Sequence, residues 1–145
     1  MINSEKVKVA NKKKINFIFT TGRRKEAVAR VRLWLEKNGI VFINEKPIEE
    51  VFKSPLQKKI YEEPFRVVDR LGQFSASIKL RGGGESAQLG AIVHGVSRAL
   101  ALFDSETFRP VLSKYKFLTR DSREKESRKY GHAGKARKRK QSPKR

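Results

Sequence analysis

The chain has no cysteine, one methionine, one tryptophan and two histidines among its 145 residues. Without cysteine, disulfides, thiolate metal sites and cysteine nucleophiles are excluded. The redox compartment stays open, because such a chain fits any of them. A core of roughly 100 residues folds without such cross-links, and 145 residues favour one compact domain with appendages. Long hydrophobic runs are missing too. No apolar stretch approaches the ~18 residues that a spanning helix needs, and the basic segments lack the Trp/Phe/Leu face of an interfacial helix. A membrane is therefore not an expected partner.

Acidic residues are the scarcest class relative to their counterparts. Fifteen Asp and Glu face 35 Lys and Arg, for a formal net charge of +20. Such an imbalance makes a compact state repel itself unless a polyanion neutralises it, and nucleic acid is the expected polyanion. Residues 1–16 carry Lys6, Lys8, Lys12, Lys13 and Lys14 without an apolar core segment. They are read as a basic arm and not as a secretory signal; they also lack the enriched Arg and Ser of an organelle-targeting segment.

From Phe17 to about Tyr115 the apolar residues are periodic. Ala27, Ala29, Val31, Leu33 and Leu35 alternate with Val28, Arg30, Arg32, Trp34 and Glu36, a strand with one buried face. Asn38-Gly39 signals a tight turn, and Ile40–Ile43 follows, so the pair reads as a β-hairpin. Pro47 suits the first position of a helix. Ile48, Val51 and Phe52 carry it, and Leu56 and Ile60 continue a second helical stretch after Pro55. Phe65–Val68 reads as extended, and Leu71-Gly72 as a turn. In Gln73–Arg81, residues Phe74, Ala76, Ile78 and Leu80 point one way and Ser75, Ser77, Lys79 and Arg81 the other. The basic end of that polar face suggests that the exposed side of the sheet meets something acidic. A helix is predicted over 86–103, with Leu89, Ile92, Val93, Val96, Leu100 and Phe103 in one stripe and His94 and Arg98 opposite. A short helix over 108–115 follows. The expected fold is α/β (α+β): a mixed or antiparallel sheet of about four strands with helices on one face. The expected organisation is an arm over 1–16, a globular RNA-binding body over 17–116 and an extended basic tail over 117–145.

The tail is a different kind of sequence. Arg128–Arg145 holds nine Lys or Arg and no Asp or Glu. It cannot bury enough apolar surface to offset an ordering cost of about 1–2 kcal/mol per residue, so it is expected to order only against a partner. Extended at about 3.3 Å per residue, the 29 residues from Phe117 would span on the order of 95 Å. That is the shape of a chain that threads into folded RNA.

Four motifs bear on chemistry. Gly22-Arg23-Arg24-Lys25, just before the predicted first strand, reads as a phosphate clamp or an ordinary turn. Gly82-Gly83-Gly84 before a helix is either an anion nest or a tight connection; no Gly-Lys-Ser/Thr follows, which argues against a nucleotide-binding loop. His94 and Arg98 suggest a polar helix face touching RNA or solvent. Acid–base catalysis is disfavoured, since the other histidine, His132, lies in the tail with nothing to position it. In Phe117–Arg123, Phe117 and Leu118 are expected to pin the tail root while Arg120 and Arg123 face outward and Asp121 pairs with one of them. By charge and placement, Arg81, His94, Arg98, Lys135, Lys138, Arg139 and Lys140 join the candidate RNA contacts. No catalytic residue, metal or cofactor is assigned.

Taken in order, these motifs resemble the universal small-subunit ribosomal protein nine family in its bacterial or organellar form. The matching residues are Gly22-Arg23-Arg24-Lys25 with Ala27–Val31, Gly82–Gly84, Gly90-Ala91-Ile92, His94-Gly95 and Arg98-Ala99-Leu100. Phe117–Asp121, Lys129-Tyr130-Gly131, Lys135-Ala136-Arg137 and the terminal Lys144-Arg145 complete the series. The resemblance implies a fold of the ribosomal-protein-five second-domain type, docked on the head of the small subunit in a cytoplasmic or organellar ribosome. It implies neighbouring head proteins as partners, no homo-oligomer, and a tail threading through rRNA towards the peptidyl-site tRNA. Carried over, Lys144 and Arg145 would be the tRNA-proximal pair. Arg23, Arg24, Lys25, Arg120, Arg123, Arg128, Lys129 and Arg137 would be rRNA contacts. The tail departs from the usual family ending, with Ser142-Pro143 before Lys144-Arg145 and no phenylalanine. Two other classes are disfavoured. A small-molecule kinase would need carboxylates that the glycine-rich region lacks, and a DNA-compacting tail would not need so well patterned a core.

Overall fold

The computed structural model describes residues 17–36 and 39–137. The basic arm 1–16, Asn38 of the predicted turn and tail residues 138–145, including Lys138, Arg139, Lys140, Lys144 and Arg145, lie outside the described residues. In chain order the elements are β1 (Ile18–Arg24), β2 (Ala27–Leu35), β3 (Val41–Ile43), β4 (Lys46–Pro47), α1 (Ile48–Val51) and α2 (Pro55–Val67). After these come β5 (Phe74–Arg81), α3 (Glu85–Phe103) and α4 (Phe108–Lys114).

The α/β class holds, with a mixed sheet of five strands in the order β1-β2-β5-β3-β4. β1 and β2 form an antiparallel hairpin around Lys25-Glu26, β2 pairs antiparallel with β5, and β3 lies parallel to β5. The expected hairpin between β2 and the Ile40–Ile43 strand is therefore wrong: β5 is inserted between them. The physical reason is that a strand alternating in period 2 carries donors and acceptors along both edges, so the pattern does not say which neighbour takes which edge. The parallel β3–β5 pair needs a crossover, and α1 and α2 supply it.

Three more expectations change. Phe65–Val68 is not extended; α2 runs on to Val67, through Pro64. Tyr61, Pro64, Phe65 and Val68 recur at helical spacing and are all buried, so tertiary burial overrides the break that a proline suggests. Leu35, placed on the buried face of β2, is 62% exposed, because β2 ends there and the core stops at Leu33. Pro47 caps α1 rather than opening it, one residue off the expectation.

Helices cover one face of the sheet. On that face Ala27, Ala29, Val31 and Leu33 of β2 and Phe74, Ala76, Ile78 and Leu80 of β5 meet the apolar stripe of α3. Phe74 anchors an aromatic cluster: its ring lies 6.4 Å from Phe65 and 5.0 Å, edge-on, from Phe103. α3 crosses β1 almost backbone to backbone. A Cβ on Gly22 would stand 2.0 Å from the Ala91 carbonyl oxygen, and one on Gly95 would stand 2.8 Å from Val31 Cγ2. Thr20, buried beside this crossing, donates its hydroxyl to the Gly95 carbonyl at 2.8 Å.

Candidate nucleic-acid interface

The outer edge of β1 would be an open template for pairing if nothing covered it. The polar stripe of α3 covers it. Arg98 Nη1 donates to the Thr21 carbonyl at 2.6 Å, and the Arg23 amide donates to His94 Nδ1 at 3.3 Å. His94 thus accepts through Nδ1, which requires that nitrogen to be unprotonated. Partial burial is the main cause that lowers its pKa below the usual histidine value, with Arg98 beside it adding to the shift; a backbone hydrogen bond with Leu118 acts the other way. The two residues read from sequence as an RNA- or solvent-facing pair have a structural task, closing a strand edge. His94 also touches the root of the tail.

Arg24, the last residue of β1, reaches across α3 at Gly90, where a Cβ would meet Arg24 Cδ at 2.3 Å. Its guanidinium lies 3.4 Å from Asp121. Asp121 also takes a two-pronged bond from Arg123, at 2.9 Å from Nε and 2.8 Å from Nη2, and the Arg123 backbone N–H at 3.1 Å. Arg123 is the main cause that holds the Asp121 carboxyl well below the ordinary carboxylate range, with Arg24 adding to it. One carboxylate therefore clasps two arginines, one from the sheet and one from the tail. A cleft of ≈280 Å³ beside this clasp is lined by Arg23, Arg24, Gly90, His94, Phe117 and Asp121 among others.

Phe117 and Leu118 pack against the core as expected. Beyond them the tail carries charge in pairs. Arg120 faces Glu124 at 3.5 Å, and Arg137 Nε donates to Glu126 at 3.0 Å. The stretch 129–135 closes a turn, with Lys129 N–H donating to the Lys135 carbonyl at 3.1 Å and Lys135 N–H to the His132 carbonyl at 3.0 Å. Gly131, Ala133 and Gly134 make that turn with positive φ. In this part of the tail the local contacts are this turn and the Glu126–Arg137 pair, Glu126 lying upstream of the purely basic run. Arg128, Lys129 and Lys135 stay exposed, as do Arg23, Lys25 in the β1–β2 turn and Arg81 at the end of β5.

The triple glycine serves close packing at two of its positions. Gly82 has φ +73, and a Cβ there would approach the Glu26 carbonyl at 2.6 Å; a Cβ on Gly83 would press on Ala27. Gly84 caps α3 with open space around it. Among the described residues no group of His, Cys, Asp or Glu could hold a metal ion, and no helix is long and apolar enough to cross a membrane. The larger cavity, ≈370 Å³ between α2 and the β3 end of the sheet, is lined mainly by Ile40, Val41, Ile48, Tyr61, Phe65 and Phe74.

The sequence that forms this body and tail matches, over residues 22–145, a known family described as ribosomal protein S9/S16. The chain belongs to the S9/S16 family. A small ribosomal subunit protein uS9 from Anaeromyxobacter sp. (strain K) is 49% identical over 126 residues, 87% of this chain and 95% of the relative. The protein of the same name from Solidesulfovibrio magneticus is 45% identical over 118 residues, 81% of this chain and 89% of the relative. The one from Maridesulfovibrio salexigens is 42% identical over 119 residues, covering 82% and 90%. As a member of the S9/S16 family the chain is a ribosomal structural protein rather than an enzyme, and its place is the ribosome. Sequence reasoning noted the basic end of the β5 polar face, Lys79 and Arg81, but passed over Arg30 and Arg32 beside it. Their alternation already put them on a polar face, but only cross-strand register brings them together.

Proposed function

We propose that this S9/S16 protein is built into the head of the small ribosomal subunit, where its body binds rRNA and its tail reaches the peptidyl-site tRNA. The observation that carries this reading is the concentration of exposed cations at the β1–β2 turn, the β5 end and the tail. Arg23, Lys25, Arg81, Arg128, Lys129 and Lys135 are exposed and stand in no ion pair among the described residues. Phosphate is the partner that their charge fits. Arg24, Arg120, Arg123 and Arg137 join them as cations already ordered by a carboxylate, and His94 and Arg98 support the strand that presents Arg23. The tail residues Lys138, Arg139 and Lys140 extend the rRNA contact, and Lys144 and Arg145 add charge beside the tRNA backbone. Neighbouring head proteins complete the surroundings.

Sedimentation of the tagged protein from its native lysate tests the reading, at low salt and at about 0.5 M. Co-migration with the small subunit at both salts supports a protein threaded among RNA helices. Protein released to the top of the gradient at high salt would show a peripheral polyanion binder instead. With about eight phosphates neutralised, affinity for isolated rRNA falls roughly 10⁴-fold between 50 and 200 mM salt. For the tRNA contact, Lys144→Gln/Arg145→Gln should weaken peptidyl-site tRNA binding while leaving sedimentation unchanged.

A further inference from the structure

On the face of the sheet turned away from the helices, the reading above uses Arg81 at the β5 end but gives no task to the middle of the face. Register places Arg30 of β2 directly opposite Lys79 of β5, and Val28 opposite Arg81. Arg32 stands between Ser77 of β5 and Phe19 of β1. Side chains directly opposite one another are about 4.5–5.5 Å apart at Cβ, and like charges there oppose folding. Arg30 facing Lys79 is such a pair, and a bound polyanion turns the repulsion into attraction. Arg30, Arg32, Lys79 and Arg81 are all exposed. Among the described residues none of the four has a carboxylate partner. No Asp or Glu lies within these strands. Glu26 stands just before β2 and Glu36 just after it; neither is ion-paired with the four, and Glu36 accepts the Trp34 indole N–H at 2.9 Å. Phe19, 54% exposed, and Phe42, 37% exposed, flank the cations on opposite sides, both aligned with the Arg32–Ser77 row.

We propose that this open sheet face is an RNA-docking surface separate from the tail, on which Arg30, Arg32 and Lys79 extend the contact at Arg81 across the phosphates of an rRNA strand. The proposal rests on the reading of the chain as an rRNA-binding protein. An acidic protein segment would also meet the charge. RNA is favoured because flat exposed aromatics stand beside the cations, and any unpaired base can stack on them.

The test compares full-length protein with Arg30→Gln/Arg32→Gln/Lys79→Gln and with a tail control, Arg128→Gln/Lys129→Gln, binding transcribed head-domain rRNA across a salt series. Circular dichroism checks that each is folded; if the triple variant is not, Arg30→Gln alone replaces it. Loss of three phosphate contacts should lower the slope of log affinity against log salt by about 2.7, and loss of one by about 0.9. Hydroxyl-radical protection should vanish at an RNA segment that the tail control still protects. A folded face variant with the slope and protections of the unaltered protein would overturn the proposal. So would cross-linking of Lys79 to a protein instead of RNA in assembled subunits. If the unaltered protein shows no salt-dependent binding to head rRNA, the parent reading fails first and this one with it.

Discussion

Between Ala27 and Leu112 the chain buries aliphatic and aromatic side chains from both sheet and helices; from Ser113 to Arg137 no described residue is fully buried. The body is held by area removed from water, about 25 cal/mol per Å². The tail stretch is held by Asp121, Glu124 and Glu126, each clasping arginine. Ion pairs between exposed side chains add little stability and weaken in salt. The body should therefore keep its shape across ionic conditions, while the tail answers to the charges around it. The two meet at the Arg24–Asp121 contact and at His94, which lies between the β1 edge and Leu118.

This contrast is sharpest where it can be broken from the body side. Leu100→Ala, at a fully buried site on α3, should cost about 2–5 kcal/mol in chemical denaturation. Gly22→Ala should cost about 3 kcal/mol, since the new methyl meets backbone that side-chain rotation cannot relieve. Unaltered stability in either would mean that the β1–α3 crossing is not the core's centre.

A smaller effect is expected at the junction. The pKa of His94 is lowered in the fold, so the folded state binds fewer protons than the unfolded one and stability rises with pH through that range. The stability is in place above the ordinary histidine value of about 6.5 and is lost as pH falls through the lowered one. Denaturation midpoints of the unaltered protein should drop between pH 7 and 5 more steeply than those of His94→Gln, which keeps an acceptor without titrating. Parallel curves would remove His94 from the strand edge.

Weaker still, Asp121→Asn should leave the melting midpoint unchanged within error but speed amide exchange over 119–125, because Arg123 and Arg24 lose their shared partner. Gly90→Ala should produce part of the same change by displacing the Arg24 side chain. The smallest effect belongs to Glu126→Gln. It should loosen the 129–135 turn in low salt, read by NMR amide shifts, and be indistinguishable from the unaltered protein at 0.5 M salt.

Much of the fold is legible in residue order alone. The strand read at 73–81, the helix read at 86–103 and most core residues on them follow from periods of 2 and 3.6, though Phe103 of the stripe is 45% exposed and Ser75 of the polar side is buried. The tail root at Phe117-Leu118 is visible as an apolar pair heading a basic run. Three features are not legible in this way. β1 escapes notice because Ile18-Phe19-Thr20-Thr21 has no strict alternation; Thr20 and Gly22 are buried only because α3 lies on them. Pro64 suggests a helix end that burial on both sides of it overrides. His94 and Arg98 look like a free polar face because nothing in their spacing shows that a strand edge stands within reach.

Class and chemistry come from residue type and local period: a small α/β body, a surplus of cations, no thiol and no second positioned histidine. Such properties need no knowledge of neighbours. The packed fold decides which strands are adjacent, which cations are clasped by carboxylates and which four share an open face. Each of these depends on contacts between residues tens of positions apart, and a period-2 or 3.6 pattern gives a face to every side chain but a partner to none.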